Sequence, residues 1–307
     1  MKINLILPTS WNSCTTEQLE IICLAKQQVQ MLPADEQTIA WKINCFLALA
    51  GMEVEEKPVT PDEEPSYVLV HSPNIPAHFK LYVWQIHYWV KEYLNWLDNN
   101  PNIIRFPYPE WRAKDNAFRG PSIRLSGWTW QQYRLLKDYL TYFFKIDEAC
   151  NQNPNSDNLS KIQTAMAMVL ATIYDAKVDY LDETTQLPTH GYHYHPDQST
   201  NNRDYFLTFP PIKFAVILLW WGSVASQLKK EYPKCFGEAK ETKKFKHPAI
   251  QDPLTEYART TATLEKYMGV NEQELQHESY TVVLQHLQDM IKQNEEIERM
   301  NAKIKKK

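Results

Sequence analysis

The chain has 307 residues, 43% of them hydrophobic, enough to bury a sizeable core and to set disorder aside as the default reading. A formal charge of −4 and a pI of about 6.2 leave no whole-protein electrostatic footprint for nucleic acid. Only seven glycines are present, in neither G-x-G-x-x-G nor G-x-x-x-x-G-K-[ST] spacing, which argues against Rossmann and P-loop nucleotide enzymes, whose backbones must approach phosphate closely.

"KINLIL" (2–7) places Ile3, Leu5 and Leu7 on one side of an expected strand. The same N-terminus ends its short apolar run in Pro8 and lacks a small-residue cleavage site, so no signal peptide is expected. Thr15 with Gln18 three residues on is a capping-box pattern, and Leu19, Ile22, Cys23 and Leu24 give the following helix an apolar face. A second helix is expected from about Asp35 to Ala50, stopped by Gly51. Together, 1–52 read as a strand plus a helical hairpin.

"EVEEKPVTPDEEP" (53–65) holds six acidic residues and three prolines and reads as an extended linker or loop. The next segment, 66–127, combines strands at 66–70 and 122–125 with an aromatic helix over about 78–98. In that helix Leu81, Trp84, His87 or Tyr88, and Lys91 follow helical spacing, with Trp89, Tyr93 and Trp96 alongside. Core packing is the expectation for these rings and a structural role for His87; the stripe at 84–96 is also a candidate self-association face. The long connection 98–127 carries Arg105, Arg112, Lys114, Arg119 and Arg124 and reads as a solvated loop, or as a dock for an acidic partner or nucleic acid.

Residues 128–291 read as a helical body, with helices at about 128–149, 158–176, 211–232, 254–267 and 272–303 and an inserted loop over about 177–209. "IKFAVILLWWGSVA" (212–225) is apolar for too few residues to span a bilayer, which needs about twenty, and is expected to be a core helix. Asp175 and Asp179 would stand one helical turn apart, a pairing any acidic helix offers. In the inserted loop His190, His193 and His195, followed by Asp197, match the ligand count of a zinc site. They lack the i, i+4 spacing that fixes two imidazoles on one helix face, and ordering three in a loop costs backbone entropy. A surface loop with adventitious metal affinity is the expectation and the metal site its alternative.

Five cysteines without a C-x-x-C pair read as reduced, mostly inert core thiols, and no G-x-S-x-G elbow occurs. The sequence therefore points away from an enzyme, and no cofactor is expected. The last helix puts Tyr280, Leu284, Leu287 and Ile291 on one stripe, flanked by Val283 and Met290; Ile297, Met300 and Ile304 continue it into a charged segment. Its first half is expected to pack on the body, in a hairpin with Tyr257, Leu264, Tyr267 and Met268. The tail 292–307 is expected to project, solvated or bound to a partner, its terminal lysines suiting the helix dipole.

Four landmarks resemble a family. They are "LPTSWNSCTTEQLEIICL" followed by a helix ending "FLALAGMEV"; "GPSIRLSGWTWQQYRLLKDYL"; "LTFPPIKFAVILLWWGSVASQLKKEYPKCF"; and "LEKYMGVNEQELQHESYTVVLQHLQDM". Their order resembles a group of phage and prophage proteins encoded among tail genes near the tape-measure protein. The resemblance implies a tail-assembly-chaperone-like protein that binds the tape-measure coil by a helix-in-groove mode in the host cytoplasm, with no nucleic acid and no membrane as partner. The alternative it leaves is a structural tail or connector subunit of the virion. It carries over no catalytic residues. The candidate partner-binding residues are Tyr280, Leu284, Leu287, Ile291, Ile297, Met300 and Ile304. The fold expected is mainly α, with a small β-sheet from the N-terminal strand and short mid-chain strands.

Overall fold

A computed structural model describes residues 7–55, 67–72, 75–153, 155–181, 188–193, 197–236 and 253–304. The protein is mainly α-helical with small antiparallel sheets. The chain divides into two compact units: residues 1–108 with 210–223, and residues 109–209 with 224–307.

In unit 1, α1 (Thr16–Gln28) starts where the sequence places it. Thr15 Oγ1 accepts from the Gln18 N–H and Gln18 Oε1 accepts from the Thr15 N–H, closing the capping box. Leu19, Ile22 and Ala25 form its buried face, while Leu24, expected inside, is exposed. Helix α2 (Ala34–Leu49) ends in a Schellman motif: Met52 N donates to Leu47 O and Gly51 N to Ala48 O. Gly51 takes φ +64, a conformation glycine adopts without a Cβ clash.

Glu53–Glu55, read in the sequence as the start of a linker, is the edge strand β1. It pairs with β2 (Tyr67–Ser72), which pairs with β3 (Ile75–Tyr82), all antiparallel. The aromatic helix α3 therefore spans only Val83–Tyr93, because cross-strand pairing with β2 holds 75–82 extended. Its orientation also corrects the sequence reading: Ile86 and Val90 are buried, whereas Trp84 (66%), His87 and Tyr88 (58%) are exposed. The expected strand at 2–7 lies outside the described residues but for Leu7, which is in no strand.

Residues 99–108 are solvated only in part: Ile103, Phe106 and Tyr108 are buried, while Asn99, Asn102, Ile104 and Arg105 are exposed. Trp11 Nε1 donates to Asn99 O at 2.9 Å, and Ile103 N donates to Ser223 Oγ at 3.1 Å. Phe106 meets Trp220 edge-on at 4.8 Å. Trp220 belongs to α7 (Pro211–Glu231), which contributes to both units. Among the described residues α7 is the one helix long and apolar enough to cross a membrane by length and composition. In unit 1 its Phe214, Val216, Ile217 and Trp220 are buried.

In unit 2 the rest of the basic connection forms a hairpin, β4 (Glu110–Ala113) and β5 (Asn116–Arg119), turning through Lys114 at φ +55. "SIRL" is not a strand. Ile123–Leu125 is a 3₁₀ turn whose last residue, Leu125, is fully buried at φ +55, so its side chain is inserted by a left-handed kink. The helical hairpin α4 (Trp130–Gln152) and α5 (Ser156–Ile173) supplies most of the core. Helix α5 stops at Ile173, so Asp175 and Asp179 lie in strand β6 (Asp175–Leu181) and not on a helix. Strand β7 (Pro188–His193) completes the order β4-β5-β6-β7. The expected loop 177–209 thus contains strand residues, α6 (Gln198–Asn201) and the fully buried Phe206 and Phe209.

Beyond α7 lie α8 (Pro233–Phe236), α9 (Pro253–Met268), α10 (Glu272–His277) and α11 (Tyr280–Ile304). The single helix expected over 272–303 is broken at Glu278 and Ser279. There Trp130 N donates to Glu278 O and Tyr280 N to Trp128 O, an extended bridge to the start of α4. Tyr133 stacks between Trp130 at 5.8 Å and Tyr280 at 5.4 Å, fixing the root of α11 on unit 2.

Candidate functional site

The seven residues proposed from sequence for partner contact divide along α11. Tyr280 and Leu284 are buried with Val283 and form part of the unit 2 core, so they are packing residues and not available surface. Leu287 and Ile291 are half-buried. Ile297 (50%), Met300 (52%) and Ile304 (70%) are exposed. The change occurs where the helix passes α8. Gln288 marks that point: its side chain is buried, Nε2 donates to Glu231 O at 3.5 Å, and Oε1 accepts from Lys234 N at 3.4 Å. One amide thereby satisfies a carbonyl at the end of α7 and an N–H in the first turn of α8.

Beyond Gln288, α8 meets α11 through an ion pair. Lys234 Nζ meets Glu295 Oε2 at 2.6 Å, both side chains partly solvated. A shallow open groove between α8 and distal α11 is lined by Lys234, Lys292, Arg299 and Lys303 against Glu295 and Glu296, with Met300 on its rim. On the other side, Gln293 Nε2 donates to Tyr267 Oη at 3.2 Å, and the Tyr267 ring meets His286 at 5.9 Å. Leu264 is buried, Met268 half-buried, and the Tyr257 side chain lies outside the described residues. This arrangement offers apolar contact framed by charge. Lys234, Arg299 and Lys303 were not singled out from sequence, because their convergence depends on where α8 docks.

The histidine segment is a strand rather than an irregular loop. His190 pairs in register with Asp179 and His193 with Ala176, while His195 falls outside the described residues. Among the described residues no group of three metal-ligating side chains comes together. All five cysteines are free, and burial pushes the thiols of Cys14 and Cys45 up to about 12 and that of Cys23 to about 11. Such thiols stay protonated at neutral pH and make poor nucleophiles.

One further ionisable group stands out. Asp175 is half-buried at the junction of α5 and β6, and burial pushes its carboxyl up to about 6. Two partners act the other way: the Gln132 amide at 3.3 Å and the charge of Arg119, which faces Asp175 in the β5–β6 register. The buried Gln132 also donates to Thr172 O at 3.1 Å, so one amide ties α4 to the end of α5 and the start of β6. This triad is a polar tie within the fold.

No family model matches the chain, and no curated protein or solved structure is significantly similar to it.

Proposed function

We propose that this chain is a phage tail-assembly factor, chaperone-like, that acts by binding another protein, a tape-measure coil, through the distal half of α11. The observation that carries the reading is the run of exposed Ile297, Met300 and Ile304 on a helix whose root is held in the core of unit 2. A surface apolar stripe rimmed by charge is the complement of an amphipathic helix, which buries its own apolar face in exchange. The order of the four sequence landmarks supports the same assignment. In this reading the protein works in the host cytoplasm, makes and breaks no bond and uses no cofactor. Its target is a protein, not a nucleic acid or a membrane.

Co-expression with a tape-measure protein tests the assignment. A soluble complex that is lost on removing residues 292–307 supports it. A tape-measure protein that is soluble alone and fails to co-purify with the chain overturns it. Mass spectrometry of finished particles separates the roles: a chaperone is absent from them, whereas a structural tail or connector subunit is retained.

A further inference from the structure

The exposed stripe of α11 has a period. Val283, Met290, Ile297 and Ile304 recur every seven residues, with His286, Gln293 and Met300 at the intervening positions, the a and d spacing of a coiled-coil seam. The first turns of the seam are satisfied inside unit 2, where Val283 is buried and Met290 half-buried. From Ile297 onward the same stripe is exposed. The residues flanking it have a definite charge order. In heptad terms Glu296 and Lys303 both occupy g positions, and Asn294 and Asn301 both occupy e positions. Glu296 and Lys303 are exposed, and among the described residues neither forms an ion pair.

We propose that distal α11 is a self-association helix: two copies of the chain pair antiparallel through Ile297, Met300 and Ile304, with Glu296 of each copy against Lys303 of the other. An antiparallel pair sets a residues against d residues and g against g. Centring the two-fold between Glu298 and Arg299 places Ile297 against Met300 of the second copy, twice over. Ile304 then lies against Gln293 and beside Tyr267, a residue 37% exposed. The same register brings Glu296 opposite Lys303 at both ends of the two-fold and leaves the neutral Asn294 and Asn301 facing each other. The contact is isologous and closes at two copies. A parallel pair would instead set Glu296 against the neutral Asn301, with no opposite charge facing it. Charge complementarity therefore selects both the occupant and its direction. So few apolar layers bury less than a standard interface, so the association is weak and concentration-dependent, with a dissociation constant on the order of 10–100 µM. The proposal stands on the seam and its charges and does not require the tail-assembly reading. A second copy and a bound target helix would use the same face and so exclude each other, the weak self-pair giving way to a tighter target.

The test is sedimentation velocity of the full, untagged chain from about 1 to about 300 µM, a range that brackets the expected constant. The wild-type chain is expected to show a reversible monomer–dimer equilibrium, and Ile297→Asp to abolish it. Glu296→Lys and Lys303→Glu each place like charges across the two-fold twice and should weaken association about tenfold. Mixing those two single variants restores both ion pairs, because each variant then meets the opposite charge at both contacts. The mixture should associate about as tightly as the wild type. Because the same two proteins are compared alone and together, a folding defect cannot produce that recovery. A chain that stays monomeric throughout, a dimer indifferent to Ile297→Asp, or a mixture no tighter than its components would overturn the proposal. Co-purification with a tape-measure protein is a separate measurement, so failure of either idea is visible without the other.

Discussion

Replacing Asp175 by Asn removes a charge while keeping a carbonyl oxygen that can still accept from Gln132 Nε2, the bond seen at 3.3 Å. The folded carboxyl titrates at about 6 because burial penalises its ionised form. An unfolded aspartate titrates near 3.9, about two pH units lower. Between those values the folded protein holds more protons than the unfolded chain, so stability falls as pH rises from about 4 to about 6 and then levels off. At about 1.4 kcal/mol per pH unit the full effect is about 3 kcal/mol. The side chain is only half-buried, and water reaching it brings the expected figure to about 1–3 kcal/mol. Asp175→Asn should therefore stabilise the protein by that amount at pH 7 to 8 and by almost nothing at or below pH 4. Urea denaturation of both proteins across this range measures the difference directly. A variant less stable than wild type at pH 7, or a difference that does not change with pH, would refute the reasoning. Either result would mean that the attraction of the Arg119 charge offsets or outweighs the cost of burial.

Removing residues 292–307 should cost less than about 1 kcal/mol at low micromolar protein, because the described side chains of 292–304 are exposed apart from the half-buried Glu295, whose pair with Lys234 is partly solvated. Leu284→Ala, in the buried half of the same helix, should cost about 2–5 kcal/mol in the same denaturation assay. Thr15→Ala opens the capping box of α1 and should cost about 1 kcal/mol, with Thr15→Ser largely restoring stability. Metal analysis of protein purified without an affinity tag should find zinc below one equivalent, unchanged in His193→Ala. A stoichiometric ion lost in that variant, together with an activity that disappears with it, would overturn the protein-binding reading.

Wherever structure follows from neighbours in sequence, the chain alone was informative. The Thr15–Gln18 box, the Gly51 stop and the long amphipathic helices α4, α5 and α11 involve interactions within a few residues. Their geometry is therefore set by spacing alone. The same locality made the exposed end of α11 legible, because Ile297, Met300 and Ile304 are too sparse among charges to be held by a core. What depends on distant partners was hidden. Residues 78–82, expected at the start of the aromatic helix, form a strand because β2 pairs with them, and the break at Glu278 exists because Trp128 and Trp130 bond across it. The direction in which α3 turns its rings, the burial that raises Asp175, and the convergence of Lys234 with α11 are likewise products of docking. Sequence fixes periodicity, but a helix with apolar residues on two faces can bury either one. Which face is buried was decided by the tertiary fold, through the area removed from water when one packing excludes the other.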